Sequence, residues 1–370
     1  MDRISVSFLR QQHRHTISSC RFRLHGENRD QRPSFLKNPV WIGSSELTMT
    51  FEGLKKCIDS GAGAVVAKSI NESAAAREQL QIADYAFVDN DFSTAESPHT
   101  STTLFNRSGL APVSLDDWKM MLAEAQTYAH AHDCKVIGSI TVGDPKAAPE
   151  LCASLSEVVP AIELNIGAPH GREVQNSAVS QLTDGDIVFA LVKSVKERLQ
   201  VPLITKLPGG INDVVELARK AQAAGSDAVS MTGRFNGFIP DVETMEPLLG
   251  SWGAYSGPWA LPISMHAVSK TYKATSAQLP IIGTNGVRTA DDVVRMFLSG
   301  ATAVELVTAV WKFGPGHISR VLSDLRHYME RNEVRSPRAL RGVAVTRAKE
   351  YADLPRNEGG AESWKKYFDG

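Results

Sequence analysis

The chain predicts an α/β fold of the eight-fold β-α (TIM) barrel type with long active-site loops. Three observations carry this. Eight short runs rich in β-branched residues, at 39–42, 64–67, 135–140, 161–164, 202–205, 228–231, 281–283 and 303–306, recur along the sequence. Helix-length amphipathic stretches separate them, the pattern of repeated β-α units around a parallel sheet. The carboxyl ends of the runs carry Ser44, Lys68, Asn165, Lys206, Thr284-Asn285-Gly286 and Thr308. Barrel enzymes place their chemistry at that rim.

The elements follow in order. The barrel opens at Asn38-Pro39, and a first helix at 51–59 stops at Gly61-Ala62-Gly63 before the second strand. Residues 68–113 form a long connection with little periodicity, which is expected to act as a lid. Ser114-Leu115-Asp116-Asp117 caps a helix reaching His132. A second excursion, 232–257, is rich in Gly, Pro and aromatic residues. Thr289-Ala290-Asp291-Asp292 caps the helix after the seventh strand, and 314–332 reads as an amphipathic closing helix.

The chain has 370 residues, and a barrel of this type needs ~250, so one domain with insertions is expected. The expected division is a basic N-terminal arm at 1–37, the barrel at 38–335 and a polar tail at 336–370. A net charge of −1 gives no electrostatic footprint for nucleic acid. No apolar run approaches the ~20 residues that span a bilayer. Cys20, Cys57, Cys134 and Cys152 are widely separated, which disfavours a metal centre, an iron–sulfur cluster and a disulfide framework. A reducing cytoplasm fits best. The first 37 residues hold eight Lys/Arg against three acids, which leaves organelle targeting open beside a plain basic arm.

The loops after strands seven and eight, Gly283-Thr284-Asn285-Gly286 and Val307-Thr308-Ala309, suit a phosphate-bearing ligand, because small residues let backbone N–H groups approach an anion. Lys68 and Lys206 emerge where apolar strands end, where a cation can oppose a developing anion or form a Schiff base. Asn165 offers an amide to a planar heterocycle, and Asn106 has the same capability.

Several motifs, in order, resemble the dihydroorotate dehydrogenase family. They are Asn38-Pro39-Val40-Trp41-Ile42-Gly43-Ser44-Ser45, Gly63-Ala64-Val65-Val66-Ala67-Lys68-Ser69, Asn106-Arg107-Ser108-Gly109-Leu110 and Glu163-Leu164-Asn165-Ile166-Gly167-Ala168-Pro169-His170. Further matches are Val201-Pro202-Leu203-Ile204-Thr205-Lys206, Tyr255-Ser256-Gly257, Ile281-Ile282-Gly283-Thr284-Asn285-Gly286 and Gly300-Ala301-Thr302-Ala303-Val304. The pyrimidine domain of dihydropyrimidine dehydrogenase is similar. The resemblance runs from about residue 38 to 341 and implies an FMN-binding barrel. It implies that Gly43, Ser44, Lys68 and Ser69 line the flavin and that Lys206 meets its pyrimidine edge. Ser256, Gly257, Asn285, Gly286 and Thr308 would hold the phosphate. Asn106 and Asn165 would contact substrate, with Gly109 and Leu110 beside them.

The departures are informative. Three residues after Asn165 the family carries a Cys or Ser that moves the substrate proton, and this chain has Ala168. Where the family shows Asn followed by Ser or Thr after the sixth strand, this chain has Gly233-Arg234. The expected function is therefore hydride transfer between FMN and a small, anionic substrate other than dihydroorotate. Arg234 would pair with its anion, and His170 is the best replacement for the missing proton-transfer group. Dihydroorotate oxidation with a relocated base and a non-redox lyase or isomerase are the alternatives. The electron acceptor is open, either a free acceptor such as oxygen, fumarate or a quinone, or a separate protein. A homodimer is expected.

Overall fold

The computed structural model describes residues 36–167, 182–211, 213–357 and 360–367. The basic arm up to residue 35, Ala168 and His170 lie outside the described residues.

Twelve strands are formed among the described residues: β1 (Val40–Ile42), β2 (Ala64–Val66), β3 (Asp84–Val88), β4 (Thr103–Arg107), β5 (Lys135–Thr141), β6 (Ile162–Asn165), β7 (Leu203–Lys206), β8 (Ala228–Met231), β9 (Asn236–Gly237), β10 (Gly253–Ser256), β11 (Ile281–Gly283) and β12 (Ala303–Leu306). Eight of them close a parallel barrel in the order β1-β12-β11-β8-β7-β6-β5-β2. These are the eight runs expected from the sequence. Closure is made by β1, which pairs with β12 through Val40↔Val304 and with β2 through Trp41↔Ala64.

The barrel interior is layered because every second residue of a strand points inward. Its lower layer is apolar: Trp41, Val66, Ile137, Ala161, Ile204, Ala228, Ile282 and Ala303 form one buried cluster. Two residues further along five of these strands the interior turns polar, at Ser139, Glu163, Lys206, Ser230 and Glu305. The opposite strand faces pack on the helical shell in a second, larger cluster. Helices Phe51–Asp59, Leu115–Ala131, Gly185–Lys196, Val214–Ala223, Ala260–Ala274 and Ala290–Leu298 belong to that shell. Ser114 and Thr289 cap their helices as expected, each side chain accepting from the backbone three residues on.

The two long excursions differ from the irregular loops expected. Residues 68–113 supply the antiparallel pair β3–β4, and 232–257 supplies β9 and β10. The four join as one sheet in the order β3-β4-β10-β9. Tyr255↔Phe105 and Ala254↔Asn106 are in register across the junction. Phe105 is wholly buried and stacks edge-on against Tyr255 with ring centroids 6.3 Å apart. Pairing with a distant partner strand organises segments whose own apolar periodicity is weak. Beyond the closing helix His317–Arg331, the chain returns to the barrel wall, where Arg341 donates to the carbonyls of Gly300, Ala277 and Leu279.

Candidate active site

One cleft, with about 900 Å³ of empty space counting its open mouth, lies at the carboxyl rim of the barrel, beneath the four-stranded sheet. It is lined by strand-end residues Ser44, Lys68, Ser69, Asn165, Lys206 and Thr308, and by Asn106, Gly109, Leu110, Arg234, Ser256 and Asn285 from the excursions and loops. A second cleft of about 360 Å³ shares Thr284, Asn285, Val307 and Thr308 with the first, and adds Gly257, Gly286, Arg288 and Lys312. Gly43 lies behind the first cleft, where a Cβ would come within 2.7 Å of Val307.

Charge is divided across the main cleft. On its outer side, Lys68 donates to Glu46 at 2.9 Å and to Ser108 at 2.8 Å. Glu46 also accepts from Tyr85 at 2.7 Å and Ser108 at 2.5 Å. Burial alone would raise the Glu46 carboxyl, but Lys68, Ser108 and Tyr85 bring it below its ordinary value. Burial pushes Lys68 down, and Glu46 opposes that. Arg234 also lines this side, without a hydrogen bond or ion pair to another described residue. Its guanidinium is held below its ordinary value by burial, which the charge of Glu46 opposes. Two cations thus face one carboxylate.

The inner side is the reverse. Lys206 is bonded to both Glu163, at 3.3 Å, and Glu305, at 2.9 Å; both carboxylates are 0% exposed and the lysine 12%. Burial would lower Lys206, but the two carboxylates raise it above its ordinary value. Protonated and twice paired, Lys206 is no nucleophile for Schiff-base chemistry. Ser139 donates to Glu163 at 3.1 Å and Ser230 to Glu305 at 3.4 Å. Ser139 is in turn bonded to Ser69 at 2.8 Å, and Ser69 approaches Ser44 at 3.4 Å.

Asn165 is oriented: its carbonyl accepts from Gly167 N at 3.0 Å and its amide nitrogen donates to Thr141 at 3.4 Å. Asn285, which the resemblance places at the phosphate, lines both clefts, and its amide nitrogen donates to the carbonyls of Thr232, at 2.9 Å, and Gly233, at 2.5 Å, bracing the loop that carries Arg234. Its φ of 69° and that of Gly286, 82°, hold a left-handed turn. A Cβ on Gly286 would meet Leu261 N at 2.4 Å.

In the second cleft, Lys312 is brought down to about 8 by burial and by Arg288. Arg288 is paired with Asp292 at 3.2 Å. A cleft carrying Arg288 and Lys312 with small-residue walls, continuous with the larger one through Thr284, Asn285, Val307 and Thr308, fits a phosphate tail joined to a larger head.

Sequence reading missed Glu46, Tyr85, Glu163, Glu305, Arg288 and Lys312. For two of them the signal was present, since Ile162-Glu163-Leu164 and Val304-Glu305-Leu306 put a carboxylate inside a buried strand, where unpaired charge is not tolerated.

These features define a β-α barrel enzyme with its site at the carboxyl rim. A sequence model of the family "Dihydroorotate dehydrogenase" matches residues 90–329. The chain is 30% identical over 311 residues to the dihydroorotate dehydrogenase B (NAD(+)) catalytic subunit of Pyrococcus abyssi, covering 84% of this chain and 96% of that one. It is 32% identical over 309 residues to the protein of the same name from Pyrococcus furiosus, covering 83% and 95%. The counterpart of Methanothermobacter thermautotrophicus is 27% identical over 296 residues, covering 80% and 90%. The chain belongs to the dihydroorotate dehydrogenase family, and it is a flavin-dependent oxidoreductase whose cofactor is FMN. Among the described residues, no helix is long and apolar enough to cross a membrane.

Proposed function

We propose that this enzyme oxidises or reduces a small carboxylate-bearing substrate other than dihydroorotate, and that Arg234 is the residue that takes the carboxylate. The observation that carries this is the guanidinium itself, half-buried in the cleft wall without a hydrogen bond or ion pair to another described residue, and answered only by the charge of Glu46, which is already paired with Lys68. Two cations over one carboxylate leave a positive charge in a partly desolvated cleft, which an anionic ligand relieves.

The residues FMN would use are present. Ser44, Lys68, Ser69, Asn165 and Lys206 would face the flavin head, with Ser256, Gly257, Gly286, Arg288, Thr308 and Lys312 around the phosphate. When bound, FMN supplies the two-electron chemistry by accepting or giving hydride. The chain's own residues do the rest. Arg234 binds the carboxylate and, with the Lys68–Glu46 pair, keeps that end of the cleft positive. Asn106, on β4, and Asn165, on β6, present amides to the polar edge of the substrate. The four-stranded sheet keeps bulk water from the reacting carbon. His170 is the proposed proton-transfer group, since the family's Cys or Ser position is occupied by Ala168.

A second reading, dihydroorotate itself, is favoured by the names of the relatives. Against it stand the methyl group of Ala168 and the replacement of an amide by Gly233. Removing a positioned proton-transfer group costs ~10²–10⁴ in rate, and each unpaired ring polar group costs ~1–3 kcal/mol. Because the relatives are catalytic subunits by name, a separate protein is supported as electron acceptor.

The test is anaerobic mixing of the FMN-loaded protein with dihydroorotate and with a panel of small carboxylates, followed by flavin absorbance. We expect slow or no bleaching by dihydroorotate and rapid bleaching by another carboxylate. Arg234→Leu should weaken binding of that compound ~10–100-fold, the value of a charge-assisted pair. Stoichiometric bleaching by dihydroorotate within one turnover time sinks this reading in favour of the second.

A further inference from the structure

We propose that Glu163 is a proton-uptake residue of this cleft, binding one proton through the Ser69 and Ser139 hydroxyls when an electron pair enters while its carboxylate is ionised.

The geometry is a buried triad whose Lys206 reaches the cleft wall and whose Glu163 is joined to the cleft by one chain of hydroxyls. Glu163 (β6), Lys206 (β7) and Glu305 (β12) meet inside the barrel, with Ser139 (β5) and Ser230 (β8) completing the ring of groups that face them. Below lies the apolar layer, which carries no proton. Lys68 is engaged by Glu46 and Ser108, away from the triad. The only hydroxyls joining Glu163 to the cleft among the described residues are Ser139, 3.1 Å from its carboxylate, and Ser69, 2.8 Å further on and itself in the cleft wall. With Ser69 donating to Ser139 and Ser139 to Glu163, each hydroxyl can receive a proton on one lone pair while passing on its own.

With both carboxylates ionised, one ammonium faces two negative charges, so the triad carries one net negative charge. Two electrons and one proton arriving in the cleft add another negative charge next to it. Repulsion between like charges in a closed interior is strong. It is relieved when Glu163 takes a second proton from solvent, so that two protons accompany two electrons and the net charge of the region is unchanged. The Lys206 ammonium then answers to one carboxylate instead of two and is released toward the new negative charge. Burial, with the charge of Glu305 added and only partly offset by Lys206, has already raised the Glu163 carboxyl to about 7. A small further push therefore protonates it near neutrality. Below about pH 7 the proton is already bound in both redox states, so the uptake appears from about pH 7 upward.

The inference rests on the FMN assignment and not on the substrate reading, because dithionite can supply the electrons. The FMN-loaded full chain is titrated with dithionite between pH 6 and 9 and its midpoint potential followed. In a two-electron couple, each proton taken up lowers the potential by about 30 mV per tenfold change in proton activity. Wild type should fall by about 60 mV per pH unit above pH 7, and Glu163→Gln by about 30 mV. Reduced-minus-oxidised infrared spectra should gain a protonated-carboxyl band in wild type that Glu163→Gln lacks. Ser139→Ala keeps the carboxyl and removes its hydroxyl donor, so the steep region should begin at higher pH. Flavin absorbance in each variant reports occupancy separately from slope. Equal slopes in wild type and Glu163→Gln, or a wild-type spectrum without the band, overturn the proposal. So does a Ser139→Ala profile superimposable on wild type.

Discussion

Asn285 illustrates what a single side chain decides here. Its left-handed backbone suits Asn or Gly, but only Asn brings an amide to the Thr232 and Gly233 carbonyls. Asn285→Gly keeps the turn and frees the loop that aims Arg234. Affinity for anionic substrate analogues, measured calorimetrically, should fall, though by less than in Arg234→Leu, while FMN stays bound. Unchanged affinity would mean that the loop is held by other contacts. The same residue marks a limit of sequence reading. Asn285 was legible as a rim residue because a strand ends before it, but the direction of its amide depends on a loop more than fifty positions away. Lys206 shows the same limit. Its emergence at a strand end was legible, whereas its two carboxylate partners sit on strands that only barrel closure brings beside it.

Among the elements, those with strong local signals were the most readable. The helix Ala290–Leu298 announces itself through Thr289, whose hydroxyl accepts from Asp292 N at 3.3 Å while the Asp292 carboxylate accepts from Thr289 N at 3.3 Å. That carboxylate also holds Arg288, so the cap positions a cation of the second cleft. Thr289→Ala should cost about 1 kcal/mol in urea unfolding and also lower the affinity for FMN. A stability loss with FMN affinity untouched would separate the cap from the cleft. The strands β3, β4, β9 and β10 were not legible. β3 is half-exposed, β9 has only two residues, and the order of the four depends on pairing between segments that lie far apart in the chain. Such pairing is a tertiary decision that overrides weak local preference.

At the scale of the molecule, the barrel is stitched at its wall by the segment following the closing helix. Arg341 donates to three carbonyls from the helix-to-strand connections that lead into β11 and β12, and its guanidinium lies 5.2 Å from the Tyr272 ring centroid. Arg341→Ala leaves those carbonyls without their donor and should cost about 2–3 kcal/mol. The check is a thermal melt of the FMN-free protein, and an unchanged Tm would show that solvent replaces the clamp. The eight-fold barrel was legible as a whole because eight apolar runs repeat regardless of what their loops do.

The sheet over the rim ties Asn106 to Arg234. One comes from the excursion after β2 and the other from the excursion after β8, and β10 is hydrogen-bonded to the strands of both. Any attempt to graft another family member's specificity onto this scaffold must therefore transplant both segments together. A chimera carrying only one would join mismatched edges along β10, and its selectivity would be lost through misregistration before any side chain met its ligand.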